Sequence, residues 1–299
     1  MKIKESKVDK VFDVVLFIVL TAVLLIAAYP LYFVIIASIS DPTAVAGGDV
    51  VFTPIGLTVD GYKEVFENKK VVGGLLNSLF YTAVGTCLNL FVTIPTAYAL
   101  SRRQFAGKKF VMCFYMVTMF VSGGMIPTYL VVKSFGMLDT MWALIVPGAL
   151  SVYNMIVART FFESSLPEEL WEAARVDGCG HFKYFVKVAL PLSKAIIAIM
   201  VLYYGIGHWN NYFSALLYMK TEAKYPLQLV LRGILIQNEA ALAQQVTTAA
   251  AQEAMQKQQA LVEQMKYALI IVSSIPVMIL YPFIQKHFVK GVMIGSVKG

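Results

Sequence analysis

An all-α membrane protein of six spans, with both termini on the cytoplasmic side, is the fold class this sequence predicts. Three observations predict it. Of 299 residues, 58% are hydrophobic and only 14% charged, and the mean hydropathy is +0.68, far from the balance of a soluble domain. Several apolar stretches are long enough to cross ~30 Å of hydrocarbon as helices. Lysine and arginine concentrate on alternate connecting segments, which sets an orientation.

The stretches are 11–40, 73–100, 110–133, 141–163, 188–219 and 265–286. The first begins with Lys2, Lys4, Lys7 and Lys10, a start that fits a signal peptide. Its apolar run, Val11 to Ile39, is too long for a signal sequence, so it is read as a retained span. With the N-terminus inside, the cytoplasmic segments hold those four lysines. They also hold Arg102, Arg103, Lys108 and Lys109, then Arg159, Arg175, Lys183, Lys187 and Lys194, and finally Lys286, Lys290 and Lys298. The short loop SRRQFAGKKF decides the orientation, because short loops obey the positive-inside rule best. The net charge of +7 and the pI near 9.1 then reflect topology and contact with anionic lipid. Nucleic-acid binding would need a soluble basic surface, and none is predicted.

Two extracytoplasmic segments have some size. Ser40 to Val72 is rich in turn formers. The second, 220–264, has a middle rich in Ala, Gln and Glu, which favours helix but is too polar to span. It reads either as a solvated loop or as an external helical cap that meets a soluble partner or narrows the entrance. Cys87 and Cys113 fall in spans and Cys179 in a cytoplasmic loop, so no disulfide is expected.

The motifs exclude several chemistries. There is no GxxxxGK[ST] phosphate loop. The three histidines, His181, His208 and His287, are too far apart to share a metal. Ser122-Gly123-Gly124 could serve an intramembrane protease, but no partner base sits in a neighbouring span. Within the second to sixth spans, acids are absent from 73–132, 141–162, 188–219 and 265–286; Asp13 and Glu163 lie at the edges of spans. A proton relay needs titratable groups in the membrane. His208 is the one candidate, and it reads better as a neutral histidine hydrogen-bonded between helices. The spans therefore look like a passage without its own engine, although sodium coupling through carbonyls stays open.

The fifth span carries the polar content, with Trp209, Asn210, Asn211 and Tyr212 near its outer half. Amides beside aromatic rings suit a sugar, since rings stack on C–H faces and amides bond hydroxyls. The same groups also serve as glue between helices and as an interfacial aromatic belt. Tyr153 and Asn154 in the fourth span are further lining candidates.

The cytoplasmic segment 164–187 is the most ordered polar insert. Ser165-Leu166-Pro167-Glu168 reads as a capping box with Pro at the first helical position. A short helix from Pro167 to Val176 follows, Asp177-Gly178 ends it, and a second, about Gly180 to Val188, leads to Leu190-Pro191. This makes a helix–turn–helix elbow on the membrane face. It either anchors a loop at the interface or offers a docking surface with Glu172 as a charged handle.

One pattern separates these readings. Glu172-Ala173-Ala174, then Gly178, then an aliphatic Val188, then Leu190-Pro191, with Asp177 before the glycine, resembles the motif of permease subunits of binding-protein-dependent ABC importers. The C-terminal YPFIQKHFVKGVMIGSVKG is similar to that of the sugar-permease branch, in particular its oligosaccharide and polysaccharide-breakdown-product group. The resemblance covers essentially the whole chain. It implies a type I importer permease fold in the bacterial cytoplasmic membrane, with a second homologous permease completing the pore. Two cytoplasmic subunits would carry ATP and Mg, and an extracellular solute-binding protein would deliver a carbohydrate. Glu172, Ala173, Ala174, Asp177, Gly178, Leu190 and Pro191 would then couple the spans to the ATPases, and the chain itself would not be an enzyme. The cationic tail reads either as positive-inside anchoring or as an arm packed on the ATPases. The competing class is a self-sufficient secondary carrier or channel.

Overall fold

The structure, a computed structural model, describes residues 7–242, 262 and 265–282. The chain divides into two compact units, Met1–Asn68 with Ile234–Ser274, and Lys69–Gly233 with Ile275–Gly299. All regular structure among the described residues is helical.

In the first unit, α1 (Lys7–Ser38) is apolar on every face and exposed along most of its length, from Val8 to Leu31. A helix hydrophobic all round belongs in lipid or against another membrane chain. Only its end is buried, where Ile36 and Ala37 pack with Val45 and Val50. There α2 (Pro42–Gly47) is capped by Asp41, which accepts from Thr43 N–H and Ala44 N–H, and α3 (Asp60–Glu67) follows.

The second unit is organised by α4 (Lys69–Ser101). Gly74, Ser78, Gly85, Asn89, Thr93 and Ala97 fall four or seven residues apart, one or two helical turns, and are all buried. Such a stripe of small and hydrogen-bonding residues lets neighbouring helices approach closely without hydrophobic drive in lipid. Two helices use it, α8 (Val152–Ser165) and α12 (Lys194–Trp209).

The third, fourth and fifth predicted spans are not continuous helices, and local residues say why. Segment 110–133 is α5 (Lys108–Phe120) and α6 (Met125–Ser134), bent by 114°. Ser122-Gly123-Gly124 makes this bend, with Gly124 at φ +85°, and Pro127 stands in the first turn of α6. Segment 141–163 is a single turn, α7 (Trp142–Ile145), then an irregular stretch through Pro147-Gly148, then α8. Segment 188–219 breaks at Asn210–Tyr212 into α12 and α13 (Phe213–Tyr218). Among the described residues, α1, α4 and α15 (Met265–Pro282) are long and apolar enough to cross a bilayer, rising to five spans if each bent pair is one.

The elbow forms as α9 (Glu168–Val176), α10 (His181–Tyr184), one π-helical turn (Phe185–Ala189) and α11 (Leu190–Leu192). The predicted capping box is not made. Ser165 instead closes α8, Pro167 caps α9 without a side-chain bond, and the Glu168 carboxylate accepts from the Gln104 amide. The pull of α8 on Ser165 outweighs the local motif. Most of segment 220–264 that has described residues is α14 (Leu227–Leu242). The Ala/Gln/Glu-rich remainder and the tail 283–299 lie outside the described residues.

Candidate functional site

Two places concentrate chemistry in the second unit. The first is a cavity of about 440 Å³ lined from the α4-facing side of α12, the irregular stretch 147–151, the start of α8 and the break after α12. None of its lining residues is Asp, Glu, Lys or Arg. Of the predicted lining groups, the structure brings Asn154 and Asn211 to its wall. Asn154 is 8% exposed, and its backbone N–H donates to Ser151 Oγ (3.4 Å). Asn211 accepts at Oδ1 from Ser214 N–H (3.2 Å), capping α13, which leaves its NH₂ free.

Trp209, Asn210, Tyr212 and Tyr153 lie outside the cavity lining. Trp209 is buried, whereas Asn210, Tyr212 and Tyr153 are exposed. The Arg232 guanidinium sits over the Tyr212 ring, 5.3 Å from its centroid. The break at 210–212 explains the split: once α12 ends at Trp209, helical spacing no longer relates these residues.

The cavity also has groups the sequence reading did not place there. Ser151, Tyr203, Tyr204 and His208 line it. The last two belong to a polar network that ties three elements. His208 Nε2 meets Asn89 Oδ1 at 2.6 Å, and Asn89 Nδ2 donates to Gly148 O (2.7 Å) and Ala149 O (2.9 Å). One turn on, Tyr204 OH pairs with Thr93 Oγ1 (2.7 Å) and accepts from Ser151 N–H (3.2 Å). So α4 and α12 together satisfy the backbone groups freed where the α7–α8 segment unwinds. Irregular backbone at membrane depth requires such partners. The expectation that His208 is bonded between helices matches this geometry.

The second place is the elbow. Trp171, 5% exposed, is the side chain by which α9 enters the core. Its ring stacks on His181 (4.2 Å, 15°) and meets Tyr184 edge-on (5.2 Å, 83°). That cluster continues through Tyr98, Phe162 and Leu166 into α4 and α8. Ions and hydrogen bonds add to it. Glu163 pairs with Lys108 (2.8 Å) and Arg159 (2.7 Å), and Arg102 donates from Nη2 to Phe162 O (3.2 Å). The basic loop 101–109 and the elbow are thus fastened together at one end of α4 and α8.

The motif residues take distinct places. Glu172, Ala173 and Asp177 are exposed, and Ala174 packs on the core. Gly178 adopts φ +71°, a conformation that suits glycine, and a Cβ there would meet nothing within 4 Å. Leu190 is half-buried. Pro191 stands two residues beyond the end of the π turn. A proline lacks the N–H for the i−4 bond and crowds that carbonyl, so the wider turn relieves it. The helix then bends by 79° into α12. The same elbow leaves Val176 88% and Phe182 80% exposed.

At the other end of α4, Asp139 (φ 57°) staples two loops. It accepts from Thr221 N–H and Lys220 N–H, pairs with Lys224 (2.9 Å) and bonds the Thr221 hydroxyl. The two backbone N–H bonds, then Lys224 and the hydroxyl, hold its carboxyl well below the usual carboxylate range. Nearby, Asn77 donates to Ala223 O (2.8 Å) and Tyr225 O (3.1 Å). Among the described residues no group of three or more His, Cys, Asp or Glu is placed to hold a metal.

Residues 71–294 match the family "Binding-protein-dependent transport system inner membrane component". The chain belongs to this family. It is 41% identical over 294 residues to Protein LplC of Bacillus subtilis (strain 168), covering 98% of this chain and 97% of LplC. It is 38% identical to the polygalacturonan/rhamnogalacturonan transport system permease protein YtcP of the same organism, over 97% of this chain and 99% of YtcP. A solved bacterial ABC transporter involved in import of the acidic polysaccharide alginate contains a chain that superposes with TM-score 0.86 at 31% identity, covering 96% of this chain and 100% of that one. The bent and broken helices described above therefore belong to an importer permease fold.

Proposed function

We propose that this chain is one membrane-spanning half of an ATP-driven importer that passes a carbohydrate, most simply an oligosaccharide, across the bacterial cytoplasmic membrane. Both ends of the chain and the elbow face the cytoplasm, and six membrane crossings are counted with each broken segment as one. A second homologous permease completes the pore, an extracellular binding protein delivers the solute, and two cytoplasmic subunits bind ATP and Mg. The observation that carries the reading is the elbow. Val176 and Phe182 are exposed on the same elbow as Glu172, and large apolar side chains left open on a polar loop mark a docking surface. Its inner side is rooted by Trp171 in the same core as α4, α8 and α12.

The mechanism follows from that placement. Closure of the ATPase pair would move the two elbows. Glu172, Ala173 and Asp177 meet the ATPase surface, Gly178 sets the turn, and Leu190-Pro191 with the π turn passes the displacement into α12. Because α12 also lines the cavity, a shift of this helix changes access to it, which is alternating access driven by a remote two-state element. The neutral wall with Asn154 and Asn211 suits hydroxyl groups. YtcP is named for polygalacturonan and rhamnogalacturonan and the solved importer for alginate, so a polysaccharide-derived oligosaccharide is the substrate class we assign.

The test is uptake by vesicles holding this chain with the permease, ATPase and binding protein that co-purify with it. Digests of rhamnogalacturonan, polygalacturonan and alginate serve as solutes. Accumulation that needs both ATP and the binding protein is expected. Accumulation by this chain alone, indifferent to ATP, would make it a secondary carrier.

A further inference from the structure

We propose that His208 is a specificity-determining residue of the passage, presenting its Nδ1 to the cavity as a hydrogen-bond acceptor for a hydroxyl of the translocated carbohydrate. The inference rests on the carbohydrate reading above and adds the group that selects. It follows from the orientation of Asn89. That amide spends both N–H donors on two carbonyls, Gly148 O and Ala149 O, so its Oδ1 is the atom that faces His208. Oδ1 can only accept, so His208 Nε2 carries the hydrogen. In the neutral ring Nδ1 is then the acceptor.

The ring cannot turn this arrangement round. A Cβ on Gly85 would lie 2.6 Å from Cε1, 2.6 Å from Nε2 and 2.8 Å from Cδ2, so the far edge of the imidazole is wedged against bare α4 backbone. Nδ1 stands off that edge. It has no hydrogen-bond partner among the described residues, and it is not among the buried atoms that lack one. The ring is part of the cavity wall, and Nδ1 is therefore open to it. Asn154 and Asn211 offer N–H donors in the same wall, whereas His208 offers a lone pair with no N–H at that atom. A solute group that can only accept is refused there, and a hydroxyl is accepted. Sites built to bond a hydroxyl discriminate against solutes lacking it more strongly than apolar walls do.

The test separates the two nitrogens. In His208→Gln the amide reaches the Nε2 position and can keep the bond to Asn89, but no acceptor remains at Nδ1. In His208→Asn the amide oxygen occupies the Nδ1 position and the tie to Asn89 is lost. Uptake is measured in vesicles of the complete importer, using the purified digest component that the wild type takes up fastest, with the amount of chain in the membrane followed by immunoblot. The loss of one hydrogen bond predicts that KM rises about threefold to tenfold more in His208→Gln than in His208→Asn, although only the asparagine variant loses the tie to Asn89. The reverse order, no change in either, or equal rises in both would show that the ring serves only to tie helices and would overturn the proposal. Failure of the wild type to take up any digest component fails the carbohydrate reading first, and this inference with it.

Discussion

Removing the Trp171 side chain should uncouple the elbow from the spans while leaving the chain folded. Trp171 is 5% exposed, so nearly the whole indole is withdrawn from solvent. Truncating a buried tryptophan to alanine costs about 3–5 kcal/mol. About 0.5–1.5 kcal/mol of that belongs to each ring pair, with His181 and with Tyr184. Against a typical stability of about 5–15 kcal/mol the fold survives, but α9 loses the side chain that roots it in the core. Trp171→Phe keeps an edge-on partner for Tyr184 and should lose far less. In vesicles of the assembled importer, the expected result for Trp171→Ala is at least a tenfold fall in solute taken up per ATP hydrolysed, since 1.36 kcal/mol of lost coupling is about tenfold. The phenylalanine variant should lie near wild type. Full coupling by Trp171→Ala at normal membrane levels would refute the idea that this ring carries the elbow's motion.

Further outcomes follow from single positions. Gly178→Asn should keep ATPase co-purification, because Asn tolerates φ +71° and the site has room for a side chain, whereas Gly178→Val should lower the melting temperature by the equivalent of about 1–2 kcal/mol. Loss of the ATPase in both variants would show that the docked surface itself excludes any side chain. Gly85→Val should destabilise the purified chain by about 1–3 kcal/mol, because the His208 ring occupies the space a Cβ needs; an unchanged melting temperature would contradict the wedge. Asp139→Asn should lower the melting temperature at neutral pH. The native Asp139 carboxyl is held low, so its stabilisation is complete above the usual carboxylate pKa of about 3.9 and is lost as pH falls toward the folded value. The gap between wild type and variant should therefore close on acidification; a gap that widens toward acid would reverse this assignment.

The parts of this account legible in the sequence are those with local causes. The apolar length of α1 and of α4 announces a helix in lipid, and Asp177-Gly178 announces the turn that ends α9. The spacing from Glu172 to Pro191 pointed to the family that the comparisons then showed. What was not legible depends on partners distant in sequence. The break at Asn210–Tyr212 is made by Asn211 capping α13, and nothing in YYGIGHWNNYFSALLYM distinguishes an amide that caps from one that lines. Asn154 and Asn211 reached the cavity while Trp209 turned inward, because one broken helix turn changes which face a residue occupies. Asn89 and Tyr204 were missed for a related reason. A single Asn or Tyr in an apolar run has no pattern of its own, and its meaning appears only when α4, α12 and the unwound stretch at Gly148 come together. One signal was available: small and polar residues recurring every four or seven positions along α4 mark the face on which such a network can form. The capping box at Ser165 failed because α8 runs two residues past the predicted end of its span and takes in Ser165 itself.

The solvent-exposed side of α9, which carries Glu172, docks on an ATPase subunit if the coupling proposal holds. A photocrosslinking amino acid placed at Glu172, in membranes holding the whole assembly, tests it most directly. The account predicts a crosslink to an ATP-binding chain whose yield changes when ATP is added, and no such product from the same probe at Phe91, an exposed apolar position within α4. Crosslinking of position 172 to lipid alone, with ATP without effect, would make the elbow an interfacial anchor and contradict the claim.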